Sequence, residues 1–136
     1  MSSKLVCDIV TPEAKLYSEE AYMVTVPGIE GEMGYLQDHE PLVSILADGV
    51  ARIQKEKDAE MQRFVLQGGY VEVTGKKVII LADRARVLSD IDLPATKAEM
   101  VGLEDKLADL PEEDVKRLPL ETEIDWCKIQ ISALEK

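Results

Sequence analysis

The only histidine in the chain, His39, stands between Asp38 and Glu40, with Ser44 five residues on and Pro41 between them. A histidine beside a carboxylate can act as a general base, and a hydroxyl within its reach can act as a nucleophile. Nothing in the spacing fixes this serine in register with the imidazole. A histidine that binds a turn or an interface is the favoured reading, and no catalytic residue is assigned. Just upstream, Gly28, Gly31 and Gly34 recur at every third position. Glycine loops can cradle phosphate, but this is not the G-x-G-x-x-G spacing and no Gly-Lys-Ser/Thr follows. Glu30 and Glu32 also stand where an anion would sit. The segment reads instead as a glycine-bent hairpin forming a charged docking edge, continued after Pro41 by a buried apolar run, Leu42 to Leu46. Cys7 and Cys127 lie at opposite ends of the chain and form no Cys-x-x-Cys pair. With one histidine they cannot supply a metal quartet, so neither metal nor cofactor is expected, and a disulfide between them is disfavoured.

Composition narrows the partners. The chain has 136 residues, of which 46% are hydrophobic, enough for one compact domain with a small appendage and a core that needs no staple. Its net charge is −11. Such a surface repels phosphate backbones and anionic lipid, which excludes nucleic acid and direct lipid insertion and favours basic protein surfaces. The longest unbroken apolar run, Val78 to Ala82, is far short of the ~20 residues that span a bilayer. The Met-Ser-Ser-Lys start has neither an apolar signal core nor transit-peptide character. A soluble, cytosolic chain is expected, reaching a membrane only through another protein.

Any docking edge needs elements to hold it. Residues 1–88 contain seven of the eight glycines and five of the six aromatic residues, with a net charge of −4; residues 89–136 carry −7. In the first segment, period-two runs at Leu5–Val10, Tyr22–Val26, Val50–Gln54, Arg63–Gln67, Tyr70–Thr74 and Lys77–Ala82 predict an antiparallel β-sandwich. In the second, Met100, Leu103, Leu107 and Leu110 form one apolar stripe, and Leu120, Ile124, Cys127, Ile131 and Leu134 form another. Two helices in an antiparallel hairpin are predicted, with Pro94 in the first turn and Leu110-Pro111 and Leu118-Pro119 bracketing the connection. The expected fold is therefore mostly β with an α appendage: a sandwich over 1–88 and a hairpin over 89–136. Trp126 is expected to pack inside the hairpin, with a partner anchor as the alternative.

Four segments in register carry a resemblance. Gly31-Glu32-x-Gly34-x-Leu36-x-x-His39-x-Pro41-Leu42 with Gly49, Gln67-Gly68-Gly69-x-x-Glu72-Val73, Val78-x-Ile80-Leu81-Ala82, and Val10-Thr11-Pro12 with Tyr17 together resemble the epsilon subunit of F-type ATP synthase. Ala14 stands where the family pattern has glycine. The match runs from about Leu5 to Asp92. The resemblance implies a non-catalytic rotor subunit of the central stalk that links the gamma subunit to the c-ring and couples proton flow to ATP synthesis. It implies c-ring contact by Glu30, Gly31, Glu32 and His39. It also implies a peripheral place on the cytoplasmic face of a bacterial plasma membrane.

Two departures bear on regulation. Some members of the family bind ATP through Ile/Leu-Asp-x-x-Arg-Ala, and Ile91-Asp92 matches its start, but no arginine follows. Asp92 is thus the one candidate ATP-binding residue, and without the bidentate donor ATP binding is expected to be absent or weak. The family's second helix can enter the catalytic head with basic residues. Here Lys128 and Lys136 face Glu121, Glu123, Asp125 and Glu135, so contact with the head is disfavoured and the hairpin is at most a weak regulator of ATP hydrolysis. The alternative reading is a stand-alone β-sandwich protein-binding module with a helical tail. A small enzyme is the least favoured class.

Overall fold

A computed structural model describes residues 4–135. The chain divides into two compact units, Met1–Val87 and Leu88–Lys136. In the first, ten strands form two five-stranded sheets: β1 (Leu5–Val10), β2 (Lys15–Ala21), β3 (Met23–Gly28), β4 (Gly31–Leu36), β5 (Leu42–Ile45), β6 (Gly49–Gln54), β7 (Met61–Gln67), β8 (Tyr70–Val73), β9 (Lys77–Leu81) and β10 (Arg84–Val87). One sheet has the order β2-β1-β9-β8-β5 and the other β10-β7-β6-β3-β4. Pairing is antiparallel except between β1 and β9, which run parallel with Cys7 opposite Val78 and Ile9 opposite Ile80.

The alternating positions seen in the sequence become the core. Leu5, Cys7, Ile9, Val24, Val26, Ile53, Phe64, Leu66, Val71, Val78 and Ile80 are all buried. Tyr17 meets Phe64 edge to face with ring centroids 5.1 Å apart. β2 and β10 escaped the sequence reading, while β4 and β5 were read only as the far side of a glycine-bent hairpin and as an apolar run. Each is an edge strand, and an edge strand buries little: β2 hides only Tyr17 and Ala21, and β4 only Tyr35. Leu42–Ile45 is a correction of another kind, since Val43 and Ile45 are exposed rather than buried. A strand at a sheet edge has one inner face, and its other side chains must point away from the core.

Gly69 shows how tightly the loops are fixed. Its φ is +103, and a Cβ there would lie 1.9 Å from the Leu81 carbonyl oxygen, so only glycine fits.

The second unit holds a 3-10 turn, Leu88–Asp90, and two helices, α1 (Leu93–Ala108) and α2 (Arg117–Glu135). Lys97 Nζ lies 3.8 Å from a Glu135 carboxylate oxygen, and Arg117 reaches the far end of α1, so the helices are antiparallel. Pro94 sits in the first turn of α1 as expected. Pro119, expected to mark the end of the connection, lies in the first turn of α2. The first four amides of a helix have no intrahelical acceptor, so a proline there removes nothing the helix uses. Leu110 falls just beyond α1. Ile124, Trp126, Cys127 and Gln130 are buried in this unit, and Gln130 donates to the Trp126 carbonyl at 3.2 Å.

Candidate interaction surfaces

The glycine-rich segment folds as a hairpin of two strands. Gly28 pairs with Gly31, leaving Ile29 and Glu30 as a two-residue turn. Gly31, directly after the turn, has φ +124, a conformation glycine adopts without steric cost. Ile29 is exposed at the tip beside the exposed Glu30. Gly31 and Glu32 open β4. The Glu32 carboxylate is engaged by Arg52 from the next strand but one, through two hydrogen bonds of 2.6 and 3.0 Å. The two glutamates therefore differ: Glu32 is already neutralised by a guanidinium, and Glu30 extends from the turn.

His39 lies elsewhere. It follows the far end of β4, ~17 Å from Gly31 at ~3.4 Å per residue. Its Nδ1 lies 2.8 Å from the Glu40 carbonyl oxygen; a carbonyl only accepts, so Nδ1 carries the proton. The ring stands edge-on to Tyr35, centroids 4.9 Å apart. Beside it Asp38 takes φ 67 and donates its amide to the Gly75 carbonyl at 2.6 Å. The histidine is thus built into a turn at the end of the sandwich that carries the β8–β9 connection. The Ile29–Glu30 turn is at the opposite end, where the Ile29 amide meets the Ile45 carbonyl and the Leu46 amide meets that of Gly69. No hydrogen bond joins His39 to Ser44 among the described residues.

Asp92 is the N-cap of α1. Its Oδ1 accepts from the Ala95 amide at 3.1 Å, and its carbonyl accepts from the Thr96 amide and hydroxyl. Lys97, five residues on, pairs with Glu135. Cys7 and Cys127 are free and buried, and burial pushes the Cys7 thiol up to about 12. Among the described residues no group of three potential metal ligands occurs, and no helix is long and apolar enough to cross a membrane.

Two features escaped the sequence reading. The first is an outward apolar strip where β5 meets β8. Ile45 pairs with Tyr70 and Val43 with Glu72; Val43 is 68% exposed, Ile45 61% and Tyr70 48%. The signal was there, since the run is apolar at successive positions, too many for one inner face. The second is a buried carboxylate. Asp8, on the outer face of β1, is 3% exposed; it accepts from the Ser18 hydroxyl at 2.6 Å and pairs with Lys77 at 3.1 Å and Lys15 at 3.7 Å. Burial works to raise its pKa, but the hydrogen bonds from Ser18 and Lys77 and the charges of Lys77 and Lys15 outweigh it. The group is held below the usual carboxylate range.

The fold and its surfaces define a class: a β-sandwich with a helical hairpin that offers contact surfaces to other proteins. Residues 4–87 match the family model of the ATP synthase delta/epsilon chain β-sandwich domain. An ATP synthase epsilon chain from Hyphomonas neptunium is 37% identical over 134 residues, 98% of this chain and 98% of that one. One from Brevibacillus brevis is 40% identical over 107 residues, covering 79% and 80%. A chain of the Euglena gracilis mitochondrial ATP synthase, in an OSCP/F1/c-ring structure, superposes with a TM-score of 0.75 at 24% identity over 98% of this chain and 83% of its own, a likeness of fold. The protein belongs to the ATP synthase epsilon-chain family, whose members are non-catalytic subunits of a larger complex.

Proposed function

We propose that this chain is a rotor subunit of the central stalk of an F-type ATP synthase. It joins the gamma subunit to the c-ring so that proton flow drives ATP synthesis, as a peripheral component on the cytoplasmic face of a bacterial plasma membrane. The observation that carries the reading is the outward strip of Val43, Ile45 and Tyr70. Apolar side chains side by side on a sheet edge are an interface in want of a partner, and we assign them to gamma. A packed sandwich suits torque transmission because close-packed cores resist deformation.

The ring contact we assign to the turn end, through Glu30, Gly31 and Glu32. The exposed Glu30 carboxylate there suits a basic ring loop at ~0.2–1 kcal/mol, while Glu32 is already held by Arg52. His39 reaches the same partner only if the contact runs the whole length of β4. The hairpin carries acidic residues where docking in the catalytic head would want bases, so it regulates ATP hydrolysis weakly. Asp92, engaged in capping, leaves ATP binding absent or weak.

Co-expression with the cognate gamma subunit tests the proposal. The natural chain should co-purify with gamma. Val43→Asp, at an exposed position that leaves the core intact, should weaken the pair at least tenfold. A natural chain that elutes alone from a gamma-containing lysate would return the stand-alone binding module to first place.

A further inference from the structure

The outward apolar strip does not end at Tyr70. Across the sheet, Ile45 stands opposite Tyr70, Tyr70 opposite Leu81, and Leu81 opposite Val10. One apolar row thus crosses four strands, from the β5 edge to β1. Leu5, Cys7 and Ile9 point into the core, which turns Val6, Asp8 and Val10 to the outside. Val6 is exposed on that face, and so is Leu16 of β2. At the β1 end of the row lies the Asp8 cluster. Asp8 is its floor: the side chain is 5% exposed, and Oδ1 accepts from the Ser18 hydroxyl. Lys77 and Lys15 are its rim, 44% and 57% exposed, and both ammonium groups lie against the same oxygen, Oδ2.

Two positive charges therefore share one negative charge. Among the described residues no second carboxylate pairs with either lysine. The surplus is local, in a chain whose net charge is −11. Each ammonium has three donors, and Asp8 occupies only part of that capacity. A carboxylate arriving over the rim would bring the cluster to two charges of each sign. A free anion is repelled by the acidic surface as a whole. A protein seated on the adjoining apolar row would hold its carboxylate in fixed register with the lysines.

We propose that Lys15 and Lys77 form the polar end of the gamma interface and receive an Asp or Glu side chain of the gamma subunit. The inference rests on reading the outward strip as the gamma contact. An apolar row gives adhesion with little direction along the sheet. A charged pair at its end fixes the register, because a misplaced partner leaves the lysines without their carboxylate. Asp8 is a positioning residue that gathers the two ammonium groups.

Titration of the full-length chain with purified cognate gamma, at low and high salt, tests this. Lys15→Met removes the surplus charge but leaves Asp8 with Lys77 and Ser18, so the sandwich should stay folded by amide exchange. It should bind gamma about five- to tenfold more weakly at low salt. That loss should shrink at high salt. Lys15→Arg keeps the charge and should stay within about twofold of the natural affinity. Lys57→Met removes the same charge from an exposed site between β6 and β7, and should also stay within about twofold. The inference is overturned if Lys15→Met binds as the natural chain does or if Lys57→Met weakens binding equally. It is also overturned if the loss is the same at both salt concentrations or if Lys15→Arg fails to restore binding. A natural chain that does not bind gamma overturns the rotor reading and this inference together; gamma binding that ignores Lys15 overturns this inference alone.

Discussion

Asp8 is the one charged side chain buried among the described residues, and its position sets a measurable pH dependence. A lone carboxylate on a strand would be expensive to bury; here Ser18, Lys77 and Lys15 converge on it. Because its folded-state pKa lies below the unfolded value of ~3.9, its contribution is fully present above pH ~4 and disappears as pH falls through the folded value. Asp8→Asn keeps the shape and an acceptor for Ser18 but removes the charge that holds both lysines. Loss of a hydrogen bond to a charged group predicts ~1–3 kcal/mol lost at pH 7. Urea denaturation of both proteins at pH 7 and pH 2.5 should show the gap shrinking at low pH, because below the unfolded-state value of ~3.9 protonation increasingly favours the unfolded natural chain. An equal gap at both pH values would mean that shape, not charge, is what the substitution damaged.

At the scale of the element, caps and edges decide most of what the sequence could and could not show. The Asp92 cap meets the dipole and the orphan amides of α1 together. Asp92→Ala should cost ~1 kcal/mol and lower hairpin helicity, with sandwich strand signals unchanged in circular dichroism and amide exchange. An unaltered α1 would show that the helix end is held by other contacts. The strands buried on an inner face, such as β6, β7 and β9, were legible because alternation and burial coincide there. So were the two helical stripes, through their spacing of three and four. Edge strands were not legible: Lys15–Ala21 is polar at four of seven positions, and a period-two signal fades when only one or two residues turn inward. The turn at Ile29–Glu30 could be read from its glycines. That Glu32 belongs to Arg52, twenty residues away, and that His39 lies at the opposite end of β4, depend on register, which no local pattern encodes.

At the scale of the whole molecule, the question is whether the hairpin does anything for the machine that the sandwich does not. Every residue of the sandwich core, from Leu5 to Ala82, and the flanking Met33, Leu42, Ala85 and Val87, lies before Leu88. A chain ended after Leu88 therefore keeps a complete two-sheet core, together with the Val43–Ile45–Tyr70 strip and the Glu30 turn. The deleted part carries acidic residues on α2 at Glu121, Glu123, Asp125 and Glu135, a poor match to any acidic surface in the head. The assembled enzyme built with the truncated chain should hydrolyse ATP within about twofold of the natural rate, because removing a repelled element withdraws little inhibition. Steady-state ATPase of the purified complex, with stoichiometric incorporation confirmed on a gel, measures it. A several-fold rise would show that α2 reaches the catalytic head despite its charge, through apolar contacts such as the Leu120–Ile124–Ile131 stripe, and would make the hairpin an inhibitor.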